Sequence, residues 1–251
     1  MTKIILHGCN GMMGQTISRL AKEDAAVEIA AGIDVNTEQK FDYPVYASLA
    51  ECKEQADVVI DFASMKAVDG LLDYCGENKL PVVLCTTGLT KEQIEKVEET
   101  AKKTAVLRSA NMSLGINLLL KLVREAAEVL ANAGFDMEIV EKHHNQKKDA
   151  PSGTALALAE VLNEAVDHRC EYTYDRSTKH EKRDKNEIGI SAVRGGTIVG
   201  EHDVIFAGTD EVVTFSHTAY SKSIFAKGAI SAAKFLAGKE AGLYTMKEVI
   251  S

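Results

Sequence analysis

KIILHGCNGMMGQTISRLAKE, residues 3–23, carries the first decision about the fold. The apolar run KIILHG reads as a short strand, and Ile17, Leu20 and Ala21 recur at helical spacing behind it. Between them Gly8, Gly11 and Gly14 make GxxGxxG rather than the commoner GxGxxG. Glycines so placed allow a tight turn, bring backbone close to a pyrophosphate and let helix and strand pack closely. The helix start adds unpaired N–H groups and the positive end of a dipole. Asp34 closes the second strand, VEIAAGID, twenty positions after Gly14, where a carboxylate can accept hydrogen bonds from ribose hydroxyls. A structural glycine turn that binds nothing is the alternative; strand, helix and acid together favour dinucleotide binding. Cys9, inside the loop, reads as a small packed residue rather than a reactive thiolate.

Working outward, DVVIDFAS, PVVLCTTG and TAVLRSANMS are further apolar, β-branched runs of the kind a doubly covered parallel sheet demands. KEQIEKVEETAKK places Ile94, Val97 and Ala101 on one helical face. Repeated strand–helix units with short connections predict a Rossmann-type parallel α/β sheet. Residues 85–88 (CTTG) and 109–113 (SANMS) both follow strands, so both belong at the sheet's carboxyl edge, where ligands bind. After Ser113 the pattern changes. GINLLLKLVREAAEVLANAG reads as one long amphipathic helix closed at Gly134. FDMEIVEKHH alternates, with Phe135, Met137 and Ile139 on one face. TALALAEVLNEAV is a second helix, and residues 168–187 read as a charged, aperiodic loop. EIGISAVR, GTIVGEHDVIFAG and EVVTFSHTAY follow as strands separated by glycine-rich turns. The expectation is an α/β domain, then an α+β domain with an open, mixed, mainly antiparallel sheet, and a final helix returning to the first domain.

EKHHNQKKDAPSGTA, residues 141–155, leads into that second helix. The helix start near Ser152, flanked by Pro151 and Gly153, offers N–H groups and the Thr154 hydroxyl to an anion. Lys147 and Lys148 add positive charge beside it. His143 and His144 stand at the end of the preceding strand, and histidine is the side chain best suited to moving a proton near neutrality. In an extended strand their rings face opposite sides, so at most one points at a given ligand unless the strand ends there. A satisfied histidine and a solvated lysine turn are the bland readings of each residue alone; their conjunction at a helix start favours a site. The residues by themselves imply a nicotinamide or flavin nucleotide domain joined to one that grips a small anion and offers proton donors.

Bulk composition removes other classes. The 251 residues carry 29 Lys and Arg against 37 Asp and Glu, a formal charge of −8, which disfavours nucleic-acid binding through a basic face. No apolar run reaches the length of a membrane span, and MTKIILHG goes straight into a strand pattern with no signal region. Five cysteines, with no Cys-x-x-Cys and no HExxH, argue against a disulfide framework or a metal site and point to the cytoplasm.

EKHHNQKKDAPSGTA, with GCNGMMG, DVVIDFAS, TTG, SANMSLGIN, IGISAVRGGTIVGEH and FAKGA, closely resembles the 4-hydroxy-tetrahydrodipicolinate reductases (dihydrodipicolinate reductases) of lysine and diaminopimelate synthesis, nearly end to end. The resemblance implies reduction by NADH or NADPH of a cyclic unsaturated dicarboxylate to tetrahydrodipicolinate, in a homotetramer built through the second domain's sheet. It implies a dinucleotide-binding domain of residues 1–113 and 223–251, and a substrate-binding and oligomerisation domain of residues 114–222. By the same resemblance His143 is the general acid and Lys147 a second proton donor, with His144, Gly153 and Thr154 binding substrate. The implied cofactor contacts are Gly8, Cys9, Asn10, Gly11, Met12, Met13, Asp34, Cys85, Thr86, Thr87, Ser109, Ala110, Asn111 and Met112. Two positions depart from the family pattern: Met12 stands where many members carry Arg or Lys, and Cys85 where Gly is usual. Val35, Asn36, Thr37 and Glu38 follow Asp34 without a cation before Lys40, so NADH is the expected preference over NADPH. The alternatives are another two-domain nicotinamide-dependent oxidoreductase acting on a small carboxylate, which would lack HHNQKKDAPSGT, and an NADH-sensing regulator, which should carry a basic DNA-binding element.

Overall fold

β-branched runs buried on both faces make a wholly parallel seven-stranded sheet in the computed structural model, which describes residues Met1–Ser251. Its strands are β1 (Thr2–His7), β2 (Val27–Ile33), β3 (Val45–Tyr46), β4 (Val58–Asp61), β5 (Val82–Leu84), β6 (Ala105–Arg108) and a late strand, Gly242–Tyr244. The spatial order runs from that late strand through β6, β5, β4, β1 and β2 to β3. The order reverses between β1 and β4, and such a switch point opens a crevice at the carboxyl edge. Side chains alternate across the sheet. Ile4, Leu6, Val58 and Ile60 face α1 (Met12–Lys22) and a late helix, Ser223–Leu236, which contributes Ala226, Ala229, Ala233 and Leu236. Ile5, Val59, Val82 and Val106 face α2 (Val68–Asn78) and α3 (Lys91–Ala101). A capping box at Thr90 and Gln93 starts α3. Met1–Leu114 and Ser223–Ser251 together form this compact unit, and Gly115–Lys222 forms a second.

The second unit places α4 (Leu114–Leu130) and α5 (Gly153–Glu164) over one face of a five-stranded sheet. Its strands are β7 (Asp136–His143), β8 (Glu171–Tyr174), β9 (Glu187–Arg194), β10 (Gly200–Ala207) and β11 (Val212–Ala219), in the order β11, β10, β7, β9, β8. The sheet is mixed: β10 pairs antiparallel with β11 and β7, whereas β9 pairs parallel with β7 and β8. In chain order the late helix and strand of the first unit are α6 and β12. Gly134, at φ +91°, turns the chain between α4 and β7, as its position after the helix predicts.

Residues 168–187 are not wholly aperiodic. Glu171-Tyr-Thr-Tyr174 forms the edge strand β8, because its β-branched and aromatic side chains suit a pleated edge. Three of the basic residues of the same stretch are spent on the sheet: Arg183 donates to Glu138 and Asp136 at 2.9 Å each, and Arg176 and Lys179 pair with Glu187. No helix is long and apolar enough to cross a membrane.

Candidate active site

The glycine loop shows why Gly8 and Gly14 are required and why Gly11 leaves little room for a side chain. Gly8 sits at φ +82°, and a Cβ there would lie 2.7 Å from the Phe62 carbonyl oxygen at the end of β4. A Cβ on Gly14 would strike the Gly8 carbonyl, and one on Gly11 would lie 3.3 Å from it. Gly11 is the N-cap of α1 and supplies no side chain to its first turn, which also holds no acidic residue. A cradle of this shape, with open amides and a dipole, fits a pyrophosphate. Met12 is exposed and brings no charge, while Met13 packs against the core. Cys9 is fully buried against Gly32, and burial followed by the charge of Asp34 pushes its thiol up to about 11. Cys9 can therefore meet a cofactor only through its backbone.

Asp34, just past β2, accepts the Asn10 N–H at 2.9 Å and the Asn36 N–H at 3.0 Å. Asn10 in turn donates its side-chain amide to the carbonyls of Asn36 and Glu38, at 2.6 and 2.8 Å. These bonds latch the glycine loop to the loop after β2. A cleft of about 450 Å³ runs between them, lined by Gly8, Gly11, Asp34 and also by Phe62, Ala63 and Ser64. A neighbouring hollow of about 250 Å³ joins Phe62–Met65 to Cys85, Thr86 and Thr87. Beneath both lies buried Asp61, which accepts from Thr86 Oγ1 at 2.6 Å and contacts His7 Nδ1 at 2.8 Å. The Cys85 thiol, pushed well above its usual range by burial and then by Asp61, has no thiolate character. Ser109 and Asn111 are held by local bonds, with Ser109 Oγ donating to the Asn111 carbonyl and Asn111 Oδ1 accepting from the Ser113 N–H. Ala110 is exposed, and Met112 is buried with its carbonyl against Gly228 of α6. Every expected cofactor position thus lies at the carboxyl edge of β1, β2, β5 or β6.

In the second unit one face of the sheet changes character row by row. Met137, Phe206 and Val213 form one row, and Ile139, Val204 and Phe215 the next. The third row is Glu141, His202 and His217, and the fourth is His143, Gly200 and Ala219. Apolar core therefore passes directly into ionisable groups on the same face. Glu141 is fully buried and His143 nearly so, with His143 Nδ1 2.6 Å from Glu141 Oε2. Arg194, opposite His143 on β9, grips both carboxylate oxygens at 2.8 and 2.7 Å. The Ser152 N–H completes the shell at 2.9 Å. Burial alone raises the Glu141 pKa, but the bonds from Arg194, His143 and Ser152 outweigh it and hold the carboxyl below its ordinary value. The same carboxylate raises Arg194. His202 packs edge-on to His143 at 5.2 Å between centroids, and its Nε2 lies 3.0 Å from Ser152 Oγ. Burial, with His143 next, pushes His202 down to about 4, so its ring is neutral.

Ser152 caps α5 by accepting from the Ala155 N–H at 3.1 Å, which leaves Gly153 exposed at the helix start with Thr154 behind it. His144 lies beyond the end of β7, and its Nδ1 is buried without a hydrogen-bond partner in the chain. The strand's end thus frees the second histidine from the alternation. Lys147 turns back on the His144 carbonyl through its N–H, and its Nζ pairs with Asp149 at 2.9 Å. Lys148 is exposed. His143 is thereby tied through Glu141 to Ser152 at the amino end of α5, which Gly153 and Thr154 continue, and the loop of Lys147 is held by Arg194 at the Asp149 carbonyl. No group of three or more His, Cys, Asp or Glu is arranged to hold a metal.

Residues 2–112 match the family description "Dihydrodipicolinate reductase, N-terminus" and residues 115–250 match "Dihydrodipicolinate reductase, C-terminus". The chain belongs to this family. A 4-hydroxy-tetrahydrodipicolinate reductase of Caldanaerobacter subterraneus subsp. tengcongensis is 56% identical, the match covering 100% of this chain and 98% of the relative. One of the same name from Clostridium novyi is 48% identical with the same coverage. Among solved structures, a dipicolinate-bound dihydrodipicolinate reductase from Paenisporosarcina sp. TG-14 superposes with a TM-score of 0.83 at 24% identity, covering 99% of each chain. A probable dehydrogenase from Thermotoga maritima reaches 0.60 at 11% identity, which shows the shared fold.

Several residues of these clusters escaped the reading of the sequence. Phe62, Ala63 and Ser64 follow an apolar strand, as CTTG and SANMS do, and that signal was available in DVVIDFAS. Glu141 shares the parity of Met137, Ile139 and His143 on β7. Arg194 and His202 lie within IGISAVRGGTIVGEH, but nothing in that stretch gives their role, because only strand pairing brings them beside Glu141.

Proposed function

We propose that this chain catalyses NAD(P)H-dependent reduction of 4-hydroxy-tetrahydrodipicolinate to tetrahydrodipicolinate. The observation that supports this most directly is the cluster of His143, Glu141 and Arg194 at the amino end of α5, with Arg194 also holding the loop of Lys147, in a chain matched by the reductase family along nearly its whole length. The first unit is the nucleotide-binding one: the Gly8–Gly14 cradle takes the pyrophosphate, Asp34 the adenosine ribose, and the loops at residues 85–87 and 109–112 the rest. Bound nicotinamide supplies the hydride. The second unit binds the dicarboxylate. Gly153 and Thr154 receive one carboxylate at the helix start, where amides and dipole favour an anion. His144 and Lys147 add donors, and Lys147 reaches the substrate by exchanging its pairing with Asp149. His143 delivers a proton to the negative charge that hydride addition develops, with Lys147 as a second donor.

Preference for NADH follows from Asp34, from the absence of a cation at Met12, and from Lys40, whose Nζ lies 3.6 Å from Glu38. We further propose assembly as a homotetramer through the sheet face opposite α4 and α5, where Ser191, Val193, Thr214 and Ser216 are exposed. The deciding experiment supplies the condensation product of pyruvate and aspartate semialdehyde and follows NADH absorbance. His143→Gln is expected to lower turnover by roughly 10²- to 10⁴-fold, the worth of a positioned proton donor, with NADH affinity retained. Near wild-type turnover in that variant removes His143 from the role.

A further inference from the structure

A carboxylate buried without partners is among the costliest groups a fold can hold. Glu141 has no solvent exposure, directly above Ile139 on β7. Its ionisation is sustained by four accepted bonds: two from Arg194, one from Ser152 N–H and one from His143 Nδ1. Two of these donors belong to the functional apparatus. Ser152 begins α5 and so fixes where the anion-binding amides start, and His143 is the assigned proton donor. Arg194 reaches a third part, donating to the Asp149 carbonyl at 2.7 Å in the loop that carries Lys147. One buried ion pair therefore joins donor, anion site and lysine loop.

The geometry also selects a nitrogen. With Nδ1 committed to the carboxylate, the His143 ring can exchange a proton with a ligand only through Nε2. That nitrogen lies over Gly200, where an added Cβ would come within 3.0 Å of it, so the fourth row of the sheet leaves it uncovered by a side chain. We propose that Glu141, braced by Arg194, is a positioning residue of the reductase: it locks His143 with Nε2 as the exchanging nitrogen and sets that nitrogen's distance from the anion site of α5. The inference rests on His143 being the proton donor.

The test combines ring spectroscopy with kinetics on the full-length protein. In ¹⁵N-edited spectra of the wild type, with the ring neutral and assigned through His143→Gln, His143 is expected in the uncommon Nδ1–H tautomer. Glu141→Gln cannot accept all four bonds, since its amide nitrogen opposes the donors. It should lose that tautomer and about 10²-fold in kcat, between the effect of an outer-shell partner and that of a triad carboxylate. KM for NADH should stay within about twofold, as expected for an interaction made only in the transition state. Glu141→Asp, which keeps the charge, should recover part of the loss. In a His143→Gln background Glu141→Gln should cost nothing further in kcat, whereas a purely structural role gives additive losses. An Nε2–H tautomer in the wild type, undiminished kcat in Glu141→Gln or additive losses each overturn the proposal. The wild-type spectrum decides even if the variant fails to fold. Undiminished turnover in His143→Gln instead overturns the underlying assignment of the donor, whatever tautomer is found.

Discussion

Replacing Asp34 by alanine is expected to narrow a preference for NADH over NADPH, and the local geometry sets the size. The carboxylate is partly exposed and already accepts the N–H groups of Asn10 and Asn36, at 2.9 and 3.0 Å. Each oxygen keeps a further lone pair, enough to accept ribose hydroxyls as well. A 2′-phosphate in the same place puts like charge beside it. At about 5 Å and an effective dielectric of about 40, one unit of such repulsion costs about 1.7 kcal/mol, which salt reduces further. Lys40 is the nearest basic residue in sequence, but it lies 3.6 Å from Glu38, and Asn10 pins the Asn36–Glu38 backbone. Its attraction for a phosphate is thus largely cancelled. The net bias is about 1–2 kcal/mol, or roughly 5- to 30-fold in kcat/KM. Asp34→Ala removes both the repulsion and the ribose acceptor, so the ratio should fall to within about threefold of unity, chiefly through a higher KM for NADH. Measuring kcat/KM for both cofactors at one ionic strength checks this. A wild-type preference for NADPH, or an unchanged ratio in Asp34→Ala, refutes the reasoning.

Gly153→Val adds a side chain into open space at the start of α5, with nothing within 4 Å of its Cβ. It should raise KM for the dicarboxylate about tenfold or more, about 1.4 kcal/mol, and leave KM for NADH unchanged in steady-state assays. His202 is buried and neutral with its pKa at about 4. The unfolded chain takes up a proton near 6.5, so the stability is fully present above that pH and is lost as pH falls toward 4, by about 3 kcal/mol. His202→Gln should flatten this fall in urea midpoints measured across the window, and an unaltered pH profile would exclude His202 as its source. Gly228→Ala drives a Cβ into the Met112 carbonyl. It should cost about 1–3 kcal/mol of stability and raise the NADH dissociation constant by displacing residues 109–112, as melting and fluorescence titration would show.

Much of this was legible in the amino-acid order, and what was hidden has physical causes. Long apolar runs and the glycine loop announced β1, β2, β4, β5 and β6, because burial on both faces leaves no choice of side chain. β3 and β12 hold two and three residues, too few to show a period. β8 is four residues inside a charged stretch, so the charges hid its alternation. Arg194 depended on topology. Read as part of an antiparallel sheet, β9 would carry Arg194 away from the end of β7, whereas the observed parallel pairing sets it opposite His143. Local pattern specifies elements, while the partners of a buried charge are chosen by pairing between distant segments.

The return of residues 223–251 to the first unit has a consequence for biosynthesis. The face of the parallel sheet that packs on α1 also needs α6, whose Ala226, Ala229, Ala233 and Leu236 are fully buried there, and β12 pairs with the β6 edge. As the chain emerges from the ribosome, Met1–Leu114 is made first but lacks this helix and this strand. Gly115–Lys222, a contiguous segment with its own core, has all its parts before residue 223 is added. The segment translated second is thus the first able to reach its native packing, and the one translated first must wait with Leu6, Ile60 and Leu107 incompletely covered and one strand edge unpaired. Such nascent surface is what holdase chaperones bind. Ribosome-stalled chains with a linker added after residue 222, long enough to bring that residue out of the exit tunnel, should therefore be protease-resistant in Gly115–Lys222 and sensitive in Met1–Leu114, the reverse of simple amino-to-carboxyl order.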